Sequence, residues 1–443
     1  MTLFLKECKA IGKSVIFLVF ICAMILFYTS QAGSTEERHV KQYYEQDKTE
    51  NAFLYSPLIK PTEGAESYGN KYVEIPEQIM LKAVSALTLD WNQNNYFVYP
   101  FGLGRQVKLN EKKQAEIAQI VFDITGLKAE ELFDAILEKR MTYAENNYVR
   151  NFSDSDIDYS DVIPIKITYE EYKEKMKQVD KILGGAYGET NFQIQSYVPM
   201  TYEEKLAEYN EFMSYDKITG SYARLFCDYM GIVAALFSIF VPVAFLMRDK
   251  RAKVNELIFS RDISSMKLIL ARYAAMVFMM LIPFIVLSLF PSIYLIIFAL
   301  KHNMPVDIFA FVKYILAWVL PTLMTTAAVA LIITTITDTP LAIAVQFIWS
   351  FISLTVGGFA AYNGGTGNLI HYGMNLLIRH NTTGNLQYYK NNLTQIAVNR
   401  IFYVVFSIIL VMLTIFIYEH KRRGEIDVRG SLRKIFRNRK KAG

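Results

Sequence analysis

The sequence RDKRAKVNELIFSRDISSMKLILARY, residues 248–273, decides the fold, because this basic segment separates two long apolar runs. Its first six residues contain four basic side chains, those of Arg248, Lys250, Arg251 and Lys253. Basic residues directly beside an apolar span mark the cytoplasmic side of a membrane. The segment therefore predicts a chain that crosses a membrane on both sides of a cytoplasmic connection.

A short helix is predicted inside this connection. Val254, Leu257 and Ile258 stand at positions i, i+3 and i+4, which gives a helix one apolar face. Ser264 or Ser265 suits the N-cap of the helix that follows. A helix held at the membrane surface in this way could be pushed by a cytoplasmic partner and would pass the movement to both spans. The alternative is an ordinary loop whose charge only sets the topology.

The composition of the chain is that of a membrane protein with an uneven distribution of charge. Of its 443 residues 52% are hydrophobic, and the net charge is +5. Residues 34–220 carry 32 acidic and 21 basic side chains, whereas the rest of the chain carries 10 acidic and 26 basic ones. Opposite faces of a bilayer explain this asymmetry more simply than nucleic-acid binding. The basic groups beside the spans predict anionic lipid as a partner.

Six apolar runs are long enough to cross the hydrocarbon core, at 14–32, 223–247, 266–299, 308–336, 340–362 and 399–419. The predicted fold class is an all-α polytopic membrane protein with six transmembrane helices and a mostly helical α+β extracytoplasmic domain between spans 1 and 2. A cleaved signal peptide is the alternative for the first run, because SQAGS offers a weak cleavage site near Ala32. Pro283 and Pro291 are expected to kink the third span.

The connecting segments then alternate between the two faces of the membrane. The predicted cytoplasmic segments are the N-terminus 1–13, the coupling segment 248–265 and the basic tail 420–443. The predicted exterior segments are the domain 33–222 and a re-entrant loop, 363–398. Both termini are therefore expected in the cytoplasm, which satisfies the positive-inside rule at every turn.

The exterior domain is predicted to be mostly helical. Apolar periodicity predicts four amphipathic helices, at 73–95, 110–126, 129–141 and 169–183. Gly126 is expected to end the second of them as a C-cap. Alternating segments at 96–109 and 163–168 predict strands.

No catalytic, cofactor-binding or metal-binding residues are assigned. The chain contains no GxxxxGK[ST] sequence and therefore no P-loop, and its five histidines are too scattered to suggest a metal site. The acidic stretch 154–161 resembles a calcium loop. However, Tyr159 stands where the sharp turn needs Gly, and Ile165 stands where a bidentate Glu is needed. A solvated acidic loop is the favoured interpretation.

Within the spans the notable polar groups are Thr322, Thr325, Thr326, Thr334, Thr335 and Gln346. Threonines of this kind are expected to join neighbouring helices rather than line a substrate path. Almost no charge is expected to be buried at mid-span, where a proton-coupled transporter normally needs a carboxylate or a histidine. Energy is therefore expected from a separate ATPase.

The stretch VNELIFSRDISSMKLILARYAAM resembles the first cytoplasmic loop of ABC transporter permeases of the type-2 exporter class. In those proteins a Glu, a Ser-rich turn and a basic residue follow in order, and Glu256, Ser264, Ser265 and Arg272 match that order. The stretch NRIFYVVFSIILVMLTIFIYEHKRRGE is similar to the last span of many such permeases from Gram-positive bacteria. This resemblance implies a separate ATP-binding subunit and a second permease subunit, in a homodimer or a heterodimer. It also implies a coupling helix at about 253–264.

The function expected from this resemblance is the membrane subunit of an ATP-driven exporter, which is not itself an enzyme. Glu256, Leu257 and Ile258 are expected to dock in a groove of the ATPase, and Arg261 and Lys267 to pair with its surface or with lipid. The expected cargo is a peptide or an amphipathic, lipid-like compound. The alternative is a signalling protein in which ATP hydrolysis moves the exterior domain without transport. A membrane-anchored exterior enzyme is a third possibility, but no catalytic constellation supports it.

Overall fold

The computed structural model describes residues 2–31, 60–65, 67–98, 105–147, 157–185, 187, 197–252, 263–362, 375–378 and 386–425. These residues form two compact units. We call Glu63–Lys205 the intervening unit, and we call Met1–Thr62 together with Leu206–Gly443 the membrane unit.

The chain begins with two helices, α1 (Leu3–Gly12) and α2 (Val15–Gln31), which meet at a 64° bend. α1 is amphipathic, because Ile11 is buried while Lys6 and Lys9 are exposed. α2 is apolar on all its faces, as expected of a helix in contact with lipid.

Four helices build the intervening unit, namely α3 (Pro76–Gln93), α4 (Glu111–Thr125), α5 (Ala129–Asn147) and α6 (Tyr169–Leu183). They confirm the four helices predicted from periodicity. Asn110 caps the start of α4 by accepting a hydrogen bond from the Lys113 backbone N–H, and Gly126 ends it at φ 75° as predicted. Thr168 and Glu171 form a capping box at the start of α6.

The strands of the intervening unit are short. β1 (Asn70–Tyr72) pairs antiparallel with β4 (Tyr197–Pro199), and β2 (Tyr96–Val98) pairs antiparallel with β3 (Arg105–Val107). The second pair occupies the predicted strand segment 96–109.

The predicted strand at 163–168 is wrong, because these residues are irregular. Pro164 has no N–H to donate to a neighbouring strand. The Lys166 N–H donates instead to the Ile124 carbonyl near the end of α4, at 2.8 Å. Thr168 is occupied by its capping role.

After β4 the chain forms α7 (Tyr202–Tyr215), α8 (Lys217–Leu236), α9 (Phe240–Arg251), α10 (Ser265–Lys301), α11 (Ala310–Tyr314), a π-helical turn (Ile315–Val319), α12 (Leu320–Thr337), α13 (Leu341–Tyr362), α14 (Leu386–Asn391) and α15 (Leu393–Arg422). Four stretches of the described chain are long and apolar enough to cross a membrane. They are Lys217–Asp249, Ser265–Lys301, Ala310–Thr337 and Leu393–Arg422. The bent pair of α1 and α2 would add a fifth, and α13 contains a shorter apolar stretch, Leu341–Leu354.

Two sequence expectations about these helices can be compared with the structure. α10 continues through Pro283 and Pro291 as one helix, so the prolines do not interrupt it. In the predicted re-entrant segment 363–398, residues 375–378 are irregular, and 386–398 covers α14 and the beginning of α15.

The stretch Ala310–Thr337 is the central helix of the membrane unit. Of the 18 residues that form its most apolar part, 72% are buried, whereas only 22% are buried in the most apolar 18 residues of α15. Large apolar side chains are exposed on the outer helices, among them Phe290 on α10 and Ile401 and Phe416 on α15. A surface of this kind suits contact with lipid or with another membrane subunit.

Candidate coupling site

The predicted docking residues lie mostly outside the described part of the chain. Glu256, Leu257, Ile258 and Arg261 fall within residues 253–262, which the structure does not describe. Lys267 lies exposed in the first turn of α10, and its backbone N–H donates to the Ser264 hydroxyl at 3.3 Å. The predicted N-cap at Ser264 is therefore confirmed. The described residues on either side of 253–262 define what we call the coupling end of the membrane unit.

A cluster of four charged side chains joins three helices at the coupling end. Arg272 of α10 donates to Asp249 of α9, and its Nε lies 3.4 Å from Glu7 Oε1 of α1. Arg248 of α9 adds contacts of 3.6 Å to Glu7 and 3.3 Å to Asp249. Glu7, Asp249 and Arg272 are each at most 9% exposed. Because each buried carboxylate faces Arg272, the cluster holds the two helices beside the coupling segment against α1.

The beginning of α10 is also bonded to the end of α15. The Ser265 hydroxyl donates to the Glu419 carboxylate, and Arg422 Nη1 donates to the Ile263 carbonyl at 2.9 Å. Lys421 Nζ reaches the turn between α12 and α13, where it lies 2.7 Å from Asp338 Oδ2. Both sides of the coupling segment are thus attached to other helices by charged or hydrogen-bonded contacts. A displacement of that segment would be passed to α1, α9, α10 and α15.

The stretch formed by α8 and α9 is interrupted within the membrane unit. The Ser238 N–H bonds to the Val233 carbonyl at 3.2 Å, one residue further back than in an α-helix. Side chains satisfy the Ala235 carbonyl that the interruption leaves open. Gln346 Nε2 and the Ser350 hydroxyl, both on α13, donate to it at 3.0 Å each. Polar residues of α13 therefore stabilise a break in the helix that leads to the coupling segment.

The opposite end of the membrane unit contains a buried ion pair. Both amino groups of Arg224 donate to Asp216, with Nη1–Oδ1 at 2.8 Å and Nη2–Oδ2 at 2.7 Å. The two side chains are 0% and 1% exposed. The Arg224 guanidinium also lies over the ring of Tyr389, 4.5 Å from its centroid. Gly220 lies between the partners on α8, where an added Cβ would be 3.4 Å from Asp216 Oδ1.

A second buried arginine, Arg400 of α15, is held by neutral acceptors and is 6% exposed. Its Nη1 donates to the Trp318 carbonyl at 3.2 Å and to the Thr322 hydroxyl at 3.1 Å. Its Nη2 donates to the Leu376 carbonyl at 3.0 Å, and both its Nε and its Nη2 donate to Asn399 Oδ1. All five N–H groups are therefore used, which leaves none for a ligand. Arg400 joins α15 to the π-helical turn and to the segment 375–378.

A cavity of about 530 Å³ lies beside Arg400. It is lined by one face of α15 and by the π-helical turn and its neighbours, and its lining is apolar except for Lys313, Arg400 and two tyrosines. The charge of Lys313 is neutralised by Asp307 at 2.7 Å. This volume suits an apolar group of a bound molecule.

The buried charged residues of the spanning helices lie near the ends of those helices, mostly within the first 12 residues, rather than in their middle. Arg224, Asp228, Arg272 and Arg400 lie on spanning helices, and each is at most 9% exposed. Arg272 was singled out only through the family resemblance. The sequence signals for Arg224 and Arg400 are weak, because each stands near the start of an apolar run and looks like an interfacial residue. The partners of Glu7 cannot be found from spacing, since Glu7 and Arg272 are 265 positions apart.

The architecture is that of a helical protein with several stretches that are long and apolar enough to cross a membrane. A family model described as ABC-2 family transporter protein matches residues 13–416, and the chain belongs to this family. No curated protein and no solved structure matches the chain.

Membership of this family confirms the coarser part of the sequence-based interpretation. The chain is a membrane permease component of an ABC transporter, and it is a multi-pass protein of the cell membrane. Permeases of this family are transport components that are not themselves catalytic, and they generally work with a separate ATP-binding subunit.

Proposed function

We propose that this permease belongs to the type-2 exporters of the Gram-positive kind, with six spans and both termini in the cytoplasm. Two copies, or one copy and a related subunit, would form the membrane part of the transporter. A separate ATP-binding subunit would supply the energy. The proposed direction of transport is out of the cell.

In this proposal residues 248–265 are the coupling segment. Glu256, Leu257 and Ile258 dock in a groove of the ATP-binding subunit, while Arg261 and Lys267 contact its surface or anionic lipid. Closure of the ATP-binding subunits pushes the segment and tilts α9 and α10. The polar break between α8 and α9 provides a position at which the first of these stretches can bend.

The observation that carries the proposal is the attachment of both sides of the coupling segment to the rest of the membrane unit. The buried cluster attaches both sides, because it joins Asp249 at the start of the segment to Arg272 after it. The bonds from α15 to Ser265 and Ile263 attach the second side again. A loop that only set the topology would not need buried ion pairs that join its two flanking helices to each other and to α1. Such pairs are suited to transmitting a push, because their geometry allows little independent movement.

We propose a peptide or an amphipathic, lipid-like compound as the cargo. The apolar cavity beside α15 supports this class, because it offers space for a hydrocarbon group next to a fixed positive charge. A small hydrophilic solute would gain little from such a lining.

The docking role is tested by Glu256→Lys in a reconstituted complex with the ATP-binding subunit. The variant is expected to insert normally and to lose at least about tenfold of its ATP-driven transport, because a cation replaces the docking carboxylate. Glu425→Lys is the matched control, since it makes the same change in charge at an exposed residue just after α15. Undiminished transport by Glu256→Lys would count against the docking role.

A second candidate function is ATP-driven signalling through the exterior domain. It is favoured by the intervening unit, which is compact and has its own apolar core. The two functions are separated by a reconstituted complex with and without residues 34–220. ATP-dependent movement of the domain without cargo flux would favour signalling, whereas flux that persists without the domain would favour transport.

A further inference from the structure

A cavity of about 440 Å³ lies at the coupling end, where the bend between α1 and α2 faces the last turns of α9. Its apolar lining consists mainly of Ile11, Ile16, Val241, Ala244 and Phe245. The side chains of Val15, Ile16 and Val19 on α2 are 72%, 38% and 55% exposed. The apolar lining therefore continues onto the exposed apolar surface of α2.

The polar part of the same cavity is cationic. Lys13, Arg248 and Arg251 line it, together with Ser14. The charge of Arg248 is shared with the carboxylates of Glu7 and Asp249. Within the described part of the chain, no carboxylate lies within 4.0 Å of the charged groups of Lys13 or Arg251. Among the residues that the structure describes, these two cations at the rim of the apolar cavity have no carboxylate partner.

We propose that this cavity binds one glycerophospholipid with an anionic head group. The phosphate would lie between Lys13 and Arg251, and an acyl chain would follow Ile16 onto the exposed face of α2. The charge favours an anionic head group over a zwitterionic one, because a choline would face the same cations. The apolar lining favours a lipid over a soluble anion, which would leave the lining in contact with water.

A lipid in this cavity would also strengthen the packing of the helices at the coupling end. Arg248 lines the cavity and also belongs to the cluster that joins α1, α9 and α10. A lipid bound there would hold the bend between α1 and α2 against α9. This inference goes beyond the proposed export function, since it requires neither a cargo nor a direction of transport.

The test is lipid titration of the full chain in detergent micelles, read by native mass spectrometry. The probes are dioleoylphosphatidylglycerol, dioleoylphosphatidylcholine and glycerol 1-phosphate, which is an anionic head group without chains. We expect one phosphatidylglycerol to bind at least about tenfold more tightly than phosphatidylcholine, and glycerol 1-phosphate not to compete with it.

Two kinds of variant examine the two halves of the site. The double variant Lys13→Ala/Arg251→Ala should weaken phosphatidylglycerol binding about 10- to 30-fold. The matched control, Lys6→Ala/Lys9→Ala, removes two exposed charges of α1 that do not line the cavity, and it should leave the affinity within about twofold. Ala244→Leu fills part of the apolar lining while the cations remain, and it should also weaken binding.

Three results would overturn the proposal. They are equal affinity for the two lipids, equal weakening by the two double variants, and competition by glycerol 1-phosphate as effective as that of the whole lipid. The last result would indicate a site for a soluble anion. Unfolding temperatures measured without added lipid show whether each variant is folded. If Lys13→Ala/Arg251→Ala does not fold, Ala244→Leu still decides between a lipid and a soluble anion.

Discussion

The ion pair between Asp216 and Arg224 offers a quantitative prediction about the membrane unit. Both side chains are buried and joined by two hydrogen bonds. Removing one partner of such a pair leaves an uncompensated buried charge and costs about 3–5 kcal/mol. Asp216→Ala and Arg224→Met should each lower the free energy of unfolding by that amount.

The double variant Asp216→Ala/Arg224→Met should be less damaging than either single variant. It leaves no unpaired charge, and replacing both partners of a buried pair by apolar groups is often nearly neutral. The double variant still loses the contact between Arg224 and the Tyr389 ring, which is worth about 1–2 kcal/mol at a buried site. We therefore expect the double variant to be about 1–2 kcal/mol less stable than the wild type.

Unfolding by sodium dodecyl sulfate in mixed micelles, followed by tryptophan fluorescence, measures these differences. A Trp91→Phe background leaves only Trp318 and Trp349, which both belong to the membrane unit. Lys313→Ala is the control, because Lys313 also belongs to the membrane unit and its largely exposed pair with Asp307 should contribute less than about 1 kcal/mol. The reasoning is refuted if Asp216→Ala costs no more than this control, or if the double variant loses the sum of the two single losses.

Two further predictions concern the intervening unit and the coupling end. Burial raises the pKa of Asp90 to about 6, although the Tyr187 hydroxyl donates a hydrogen bond to it. The folded unit therefore keeps a proton that the unfolded chain loses, so Asp90 makes stability fall as the pH rises from about 4 to about 6. The test is denaturant unfolding of residues 63–205 with and without Asp90→Asn. The difference in free energy of unfolding between the variant and the wild type should be about 1–3 kcal/mol more favourable to the variant at pH 7.5 than at pH 4.5. The same difference at both pH values would contradict this. At the coupling end, Arg272→Met should lower the free energy of unfolding by about 3 kcal/mol and abolish most ATP-driven transport. Glu7→Gln should have a smaller effect on both, because Arg272 keeps its pair with Asp249. Unfolding and transport assays in which Glu7→Gln is the more damaging variant would contradict this arrangement.

Local features of this fold could be predicted from the sequence because short-range chemistry determines them. The four helices of the intervening unit follow the spacing of their apolar residues. Gly126 ends α4 because its φ of 75° is readily adopted by glycine, and Ser264 caps α10 through its hydroxyl. The predicted strand at 163–168 failed because alternation alone does not provide a pairing partner.

The contacts that define the coupling end could not be predicted in this way. The cluster of Glu7, Asp249 and Arg272 depends on the packing of three helices that are far apart in sequence. The break after α8 has one local signal, Pro242, which has no N–H to donate and whose ring clashes with the carbonyl of Ser238, four residues earlier. The residues that stabilise the break could not be predicted, because Gln346 and Ser350 lie on α13, more than 100 positions away.

The side of the membrane on which residue 253 lies tests the central claim most directly, because an ATP-binding subunit in the cytoplasm must be able to reach it. The measurement uses Lys253→Cys in a chain whose three native cysteines, Cys8, Cys22 and Cys227, are replaced by serine. A membrane-impermeant maleimide should label this cysteine in inverted membrane vesicles and leave it unlabelled in intact cells. Labelling in intact cells and protection in inverted vesicles would contradict the account, because the coupling segment would then lie outside the cell.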